Sequence, residues 1–186
     1  IDAFDFRYDT AYHFDAKLLA EYLKKFCTGV EHHYDNIVSV NKDENGYLTS
    51  VVGEVHGDYT ADLFIDCTGF QSRLLEKEMG SEFLSYKPWL DNDRALATHV
   101  PYKDKSKELV NFTRCTGIDS GWVWTVPLWN SLGTGYCYSS DFVDDDTAEI
   151  QFKKHLGTDD VDIKKINIRH GIHKEGWVKN VVAIGL

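Results

Sequence analysis

The chain has 186 residues, enough for one domain or a piece of a larger protein, and 20 Lys and Arg against 30 Asp and Glu give a net charge of −10. That balance argues against a phosphate-backbone partner, and no apolar run approaches the roughly 18 residues that span a bilayer, so neither nucleic acid nor membrane is expected. With 42% hydrophobic and 13% aromatic residues the chain can bury a core, which excludes disorder.

In chain order, the first element is a helix over 15–26. Leu18, Leu19, Tyr22, Leu23 and Phe26 keep helical spacing, and Gly29 stops it. A strand over 32–40, broken at Asp35-Asn36, is followed by a turn at Asp43-Glu44-Asn45-Gly46. Residues 47–55 form a second strand and His56-Gly57-Asp58 a second turn. Residues 61–67 then read as a buried strand ending at Thr68-Gly69, and 71–79 as a short helix stopped by Gly80. From 94 to 140 the pattern is β-rich, with strands at 95–100, 109–115, 121–128 and 135–140. A second helix covers 144–156, its acidic start and basic end both suited to the helix dipole. Residues 161–172 and 177–186 are extended. No repeat or linker interrupts this order, so it reads as one compact unit of mixed α/β class.

Both ends are unusual. The chain opens on Ile1 without Met and shows no signal peptide, and it closes at Leu186, the end of the apolar run Val181-Val182-Ala183-Ile184-Gly185-Leu186. The expectation is a central piece of a longer chain. Cys27, Cys67, Cys115 and Cys137 lie far apart without any Cys-x-x-Cys, so they read as free thiols of a reducing cytoplasm.

Three segments can carry chemistry. Leu63-Phe64-Ile65-Asp66-Cys67-Thr68-Gly69-Phe70 is an apolar strand ending in small residues, where a ligand can approach backbone; a plain strand-end turn has the same pattern. Asp66 there is either a general base or a buried, hydrogen-bonded carboxylate. Gly121-Trp122-Val123-Trp124-Thr125-Val126-Pro127-Leu128 puts two indoles at i and i+2, on one face of a strand. That face is core packing or a rigid aromatic wall. Pro127 confines the strand to an edge, or itself to the strand's end. The third segment, 177–186, is a turn, a buried strand and a Gly near its tip. No metal site is read: His32-His33, His170 and His173 are weak candidates, and His170-Gly171-Ile172-His173, without helical context or carboxylate support, is taken as surface. Asp144-Asp145-Asp146 is taken as a helix cap, and Gly133-Thr134-Gly135 as a hairpin turn rather than a dinucleotide fingerprint.

Together these segments resemble the flavin-dependent halogenases of the tryptophan-halogenase family. The resemblance rests on Trp122-Val123-Trp124-Thr125-Val126-Pro127 for Trp-x-Trp-x-Ile-Pro, and on Asp66-Cys67-Thr68-Gly69-Phe70. It also rests on Tyr12-His13-Phe14-Asp15-Ala16, Gly135-Tyr136-Cys137-Tyr138-Ser139-Ser140, Arg169-His170-Gly171 and Trp177-Val178-Lys179-Asn180. The matches are colinear over nearly the whole chain.

The resemblance implies an FAD-binding monooxygenase-like α/β fold with a β-rich substrate region. On that basis 1–80 belongs to the FAD-binding part, 81–176 to the substrate side, and 177–186 returns to the FAD side. It implies a reaction in which FADH2 from a separate flavin reductase, oxygen and chloride or bromide give hypohalous acid, which reaches an essential lysine and halogenates a small aromatic substrate. Trp122, Trp124 and Pro127 would then form the segment separating flavin from substrate. Leu186 matches a Gly-Leu position beside the flavin, Ile37 a backbone contact to adenine, and Thr68 and Gly69 a close approach to the cofactor. Gln71 and Ile172 stand where many relatives carry Arg. The Gly-x-Gly-x-x-Gly segment is absent from these residues. The essential lysine is expected before Ile1, and the assisting glutamate after Leu186. No catalytic residue is therefore assigned here; Lys17, Lys87 and Lys179 lack the context. The chain alone is expected to be inactive. Two further readings stand: an FAD-dependent aromatic monooxygenase of the same fold, and a non-catalytic aromatic-rich binding module.

Overall fold

The computed structural model describes residues 11–186. The chain is mixed α/β, mostly strands, as its sequence implies. It divides into two compact units where the sequence reads as one. One unit holds Arg94–Asn167 with the described part of Ile1–Gly29, and the other holds Val30–Asp93 and Ile168–Leu186.

The first unit begins with α1 (Ala16–Lys24), and Asp15 caps it by accepting the Lys17 and Leu18 amides at 2.9 and 3.2 Å. A five-stranded antiparallel sheet follows, from β6 (Arg94–Val100), β7 (Arg114–Ile118), β8 (Gly121–Pro127), β9 (Leu132–Tyr138) and β10 (Lys164–Asn167). Their order is β10-β6-β9-β8-β7. The short α2 (Lys105–Glu108) precedes β7, and α3 (Asp145–Leu156) packs on one sheet face. Because side chains alternate along a strand, Leu96, Val123, Tyr136 and Tyr138 point to that face and bury with Ala148 and Phe152 of α3. The Tyr136 hydroxyl, in the middle of this core, donates to Gln151 and accepts the Ser120 amide. Asp144 caps α3 through the Asp146 and Thr147 amides, and Gly157 closes it at φ +70°.

Two expectations change in this unit, and one of the two positions allowed for Pro127 is met. Residues 133–135 lie inside β9, and the hairpin turn sits earlier, where the Leu128 amide donates to the Ser131 carbonyl at 2.9 Å. The strand expected at 109–115 moves to Arg114–Ile118, because Asp104 and Glu108 accept neighbouring amides and wind the chain into α2. Strand β8 is interior to the sheet, with Pro127 as its last residue, where a missing N–H costs least.

The second unit starts with the meander β1 (Ile37–Lys42), β2 (Leu48–Gly53) and β3 (Gly57–Thr60). Next come β4 (Phe64–Asp66) and β5 (Phe83–Ser85), and from the C-terminal stretch β11 (Gly171–His173), β12 (Trp177–Val178) and β13 (Val181–Ala183). Strand β13 lies parallel to β4 and antiparallel to β12, while β11 pairs with β5. Leu48, Phe64, Leu74, Leu75 and Val181 form its core. Strands β3 and β5 were not expected; they are short and owe their existence to partners already in place.

The helix expected over 71–79 is replaced by a 3-10 turn at Gly69–Gln71 and a run of turns. The cause is Asp66. Its buried carboxylate accepts the Thr68 amide and hydroxyl and the Leu74 and Leu75 amides, at 2.6 to 3.0 Å. Burial alone would raise its pKa, but these four bonds hold it below the ordinary value. Asp66→Ala leaves the two buried amides unpaired and is expected to destabilise this unit by about 3 kcal/mol in urea unfolding followed by circular dichroism.

A second carboxylate organises the meander. Asp35 accepts the Asn36, Val55 and His56 amides and the Tyr59 hydroxyl, which is why the strand expected over 32–40 starts only at Ile37. Loss of water raises its pKa, and the four donors more than offset this, bringing it from 3.8 to about 2. A lowered carboxylate pKa means stability that is present above pH 3.8 and lost as pH falls through about 2. The difference in thermal stability between the wild type and Asp35→Asn is therefore expected to be constant near neutrality and to shrink between those two values.

Candidate functional site

In the second unit the strand end at Asp66 and the strand end at Ala183 lie side by side, since Ala183 pairs with Asp66 across the parallel β4–β13 ladder. Both chains then turn through glycines at positive φ, Gly69 at +62° and Gly185 at +91°. A side chain would be strained at either position, and its absence leaves backbone exposed at the tips. A cleft of about 370 Å³ opens there, lined by Gly69, Phe70, Ile172, Ile184, Gly185 and Leu186 among others.

One wall of the cleft is electrostatic. Glu76 receives Arg169 in a two-bond fork, Nη1 at 2.9 Å and Nη2 at 3.0 Å. The same carboxylate meets His173 Nε2 at 3.2 Å. Arg169 also donates to the Phe70 carbonyl at 3.0 Å and lies 4.1 Å over the Phe83 ring. The Arg169 hydrogen bonds are the main reason that the Glu76 carboxyl titrates below its usual range. The network ties the 3-10 turn to the β5–β11 pair. His173, expected at the surface, is instead mostly covered and faces Phe83 edge-on.

The sequence-derived cofactor residues divide. Gly69 and Leu186 both line the cleft, and the nearest atom to a Cβ built at Gly69 is the Leu186 carbonyl oxygen, 4.0 Å away. Thr68 stands next to it with its hydroxyl committed, donating to Asp66 and accepting the Arg73 amide. Ile37 is not part of the lining; its carbonyl accepts Arg73 Nε at 3.5 Å at the start of β1. Gln71 is exposed, and Ile172 lines the cleft with more than half its surface open. Asp66, with four donors on a carboxylate of lowered pKa, is a structural anion rather than a base. Glu76 was missed because its partners lie 93 and 97 positions away, and no local pattern links them.

The double-Trp segment belongs to the other unit. Trp122 and Trp124 project from β8 on the face opposite α3, with ring centroids 6.1 Å apart and planes at 59°. They stand across from Cys137 and Gly135 of β9. The Thr134 hydroxyl donates to the Trp124 carbonyl at 2.7 Å. At the strand's end, His13 Nδ1 is 3.2 Å from the Pro127 carbonyl, and His13 Nε2 is 3.2 Å from the Thr113 hydroxyl. A carbonyl only accepts, so Nδ1 carries a proton and donates to Pro127. Trp124 borders a second cleft of about 680 Å³ that also involves Phe14, Lys17 and His99. Among the described residues there is no grouping of three His, Cys, Asp or Glu suited to a metal ion, and no helix long and apolar enough to cross a membrane.

The sequence matches the tryptophan halogenase family model over residues 4–186. It is 41% identical to tryptophan 6-halogenase SttH of Streptomyces toxytricini over 180 residues, 95% of this chain and 34% of that protein. It is 39% identical to tryptophan 7-halogenase RebH of Lentzea aerocolonigenes, over 94% of this chain and 34% of that one. The crystal structure of the Streptomyces toxytricini enzyme superposes with a TM-score of 0.88 at 40% identity, covering 93% of this chain and 36% of that one. Tar14, a tryptophan C-6 flavin-dependent halogenase (chlorinase) from taromycin biosynthesis, gives 0.87 at 43% identity, with 93% and 35% covered. The chain thus spans about a third of the length of these relatives. Fold, colinear motifs and family match agree, and the chain belongs to the tryptophan halogenase family.

Proposed function

We propose that the chain is part of a flavin-dependent halogenase that modifies an aromatic substrate of the indole type with chloride or bromide, in the cytoplasm, using flavin reduced by a separate reductase. The observation that carries this reading is the Trp122–Trp124 pair, fixed on an interior strand of a chain of this family. Two bulky indoles with little rotamer freedom suit a wall between reactive centres better than they suit oxygen transfer straight from cofactor to substrate. That contrast favours halogenation over the monooxygenase alternative.

The cleft beside Gly69 and Leu186 fits one planar ring system. Its volume is at the lower end of small-ligand pockets, roughly 300–1,000 Å³. A Cβ built at Gly176 or Gly185 would meet no atom within 4 Å, so these faces are open to a flat ligand. Bound there, reduced flavin would supply the electrons that activate oxygen for halide oxidation. Gly69, Gly185 and Leu186 would present backbone to the ring. Arg169, held by Glu76 and the Phe70 carbonyl, would keep the turn at 69–71 in place. The fit does not extend to a complete dinucleotide within these residues: Ile37 lies outside the cleft and its carbonyl is already engaged.

A full-length protein containing this chain, given FAD, a flavin reductase, oxygen, bromide or chloride and a panel of indoles, is expected to yield halogenated product by mass spectrometry. Hydroxylated product alone would instead establish the monooxygenase. In that protein Trp122→Ala with Trp124→Ala is expected to lower halogenation by at least about tenfold, the scale of losing well-positioned groups. The 186-residue chain alone, lacking a Gly-x-Gly-x-x-Gly segment, is expected to give no product under the same conditions.

A further inference from the structure

We propose that Gly135 is a positioning residue for the aromatic wall, setting the seat and tilt of Trp124. Its functional weight rests on the halogenase reading; the seat itself rests on the geometry of β8 and β9.

Trp124 and Gly135 are directly opposite in the antiparallel register. A Cβ built at 135 would overlap Cζ2 and Cη2 of the Trp124 indole. The ring therefore lies down across the β9 backbone, over the spot where any other residue would carry a side chain. A glycine inside a strand ordinarily weakens it, and one under a cross-strand aromatic marks a close approach. Gly133, two residues earlier on the same strand, is a contrast. Its Cβ would find ordinary contacts at 3.6 Å to Leu128 and 3.7 Å to His99. On this face, then, space for a side chain is missing at 135 and present at 133.

The other constraints on Trp124 act on its backbone or flank. Thr134 holds its carbonyl, and Trp122 stands beside it at 6.1 Å. Gly135 meets the far edge of the ring, where Cζ2 and Cη2 lie over its α-carbon. With a methyl group at 135 the indole must swing off β9, toward the 680 Å³ cleft that Trp124 borders. Residue 135 therefore governs both the tilt between the two indoles and the room left in that cleft. A second obstruction tests the idea: the Cβ would also come within 2.5 Å of the Leu96 carbonyl oxygen on β6. If that backbone contact dominates, Gly135 is needed by the sheet and not by the indole.

The experiment is a double-mutant cycle on a full-length protein containing this chain, with Gly135→Ala, Trp124→Ala and both, measured by urea unfolding, with Gly133→Ala as control. The expected result is coupling: Gly135→Ala shifts the unfolding equilibrium on the order of tenfold less in the Trp124→Ala background than in the wild type. Folding of the double variant when Gly135→Ala alone does not fold supports the same conclusion. A cost of Gly135→Ala that is equal in the two backgrounds, or failure of both to fold, assigns the glycine to the Leu96 carbonyl and overturns the proposal. A spectroscopic readout separates position from stability. The paired-indole ellipticity of Trp122 and Trp124, obtained as the difference from Trp124→Phe, is expected to collapse in Gly135→Ala and to persist in Gly133→Ala; its retention in folded Gly135→Ala also overturns the proposal. None of these readings depends on flavin or halide, so a parent that fails to halogenate leaves the seat of Trp124 tested on its own.

Discussion

The buried carboxylate of Asp66 is the constraint from which the second unit is organised. An anion removed from water must be given donors, and here they come from Thr68, Leu74 and Leu75, all within the chain's next nine residues. Satisfying it folds 66–75 back on the strand end, forces Ser72 into the left-handed region and leaves Gly69 facing outward. The cleft is the outside of that fold-back. Its rim is then tied to the β5–β11 pair by Arg169 and Glu76, charges that largely neutralise each other. A cleft built this way offers apolar faces and backbone groups rather than a strong net charge, which suits a flat, weakly charged ring.

The first unit solves a different problem. One face of its sheet is buried by α3, and the other must hold two indoles still without burying them completely; Trp122 keeps 39% of its surface exposed. Rigidity comes from strand interior position, from hydrogen bonds to the backbone at Trp124 and Pro127, and from the missing side chain at 135.

How much of this could be read from sequence depends on how local each signal is. The helices at Ala16–Lys24 and Asp145–Leu156 were legible because their caps, Asp15, Asp144 and Gly157, are immediate neighbours. The double-Trp strand was legible because alternation needs only i and i+2. Strands β3 and β5 were not, since three or four residues acquire strand geometry only from a partner. The turns at 71–79 read as a helix stopped by Gly80, while the carboxylate that captures the Leu74 and Leu75 amides sits at 66. Glu76 carried no signal at all, its role existing only once 169 and 173 arrive from the far end of the chain. Gly135 was visible as a motif residue, but its reason lies on the neighbouring strand.

The bond between His13 and the Pro127 carbonyl joins positions 114 apart. Tyr12-His13-Phe14-Asp15-Ala16 looks in sequence like the entrance to a helix, and it also serves as the fastener of a distant strand. Inheritance of the aromatic wall is therefore split between two stretches of gene. A chimera that takes its double-Trp strand from one relative and its first helix from another would need matching imidazole, threonine and carbonyl at the junction. Segment exchange in this family is better planned along that hydrogen bond than along the linear order of the motifs.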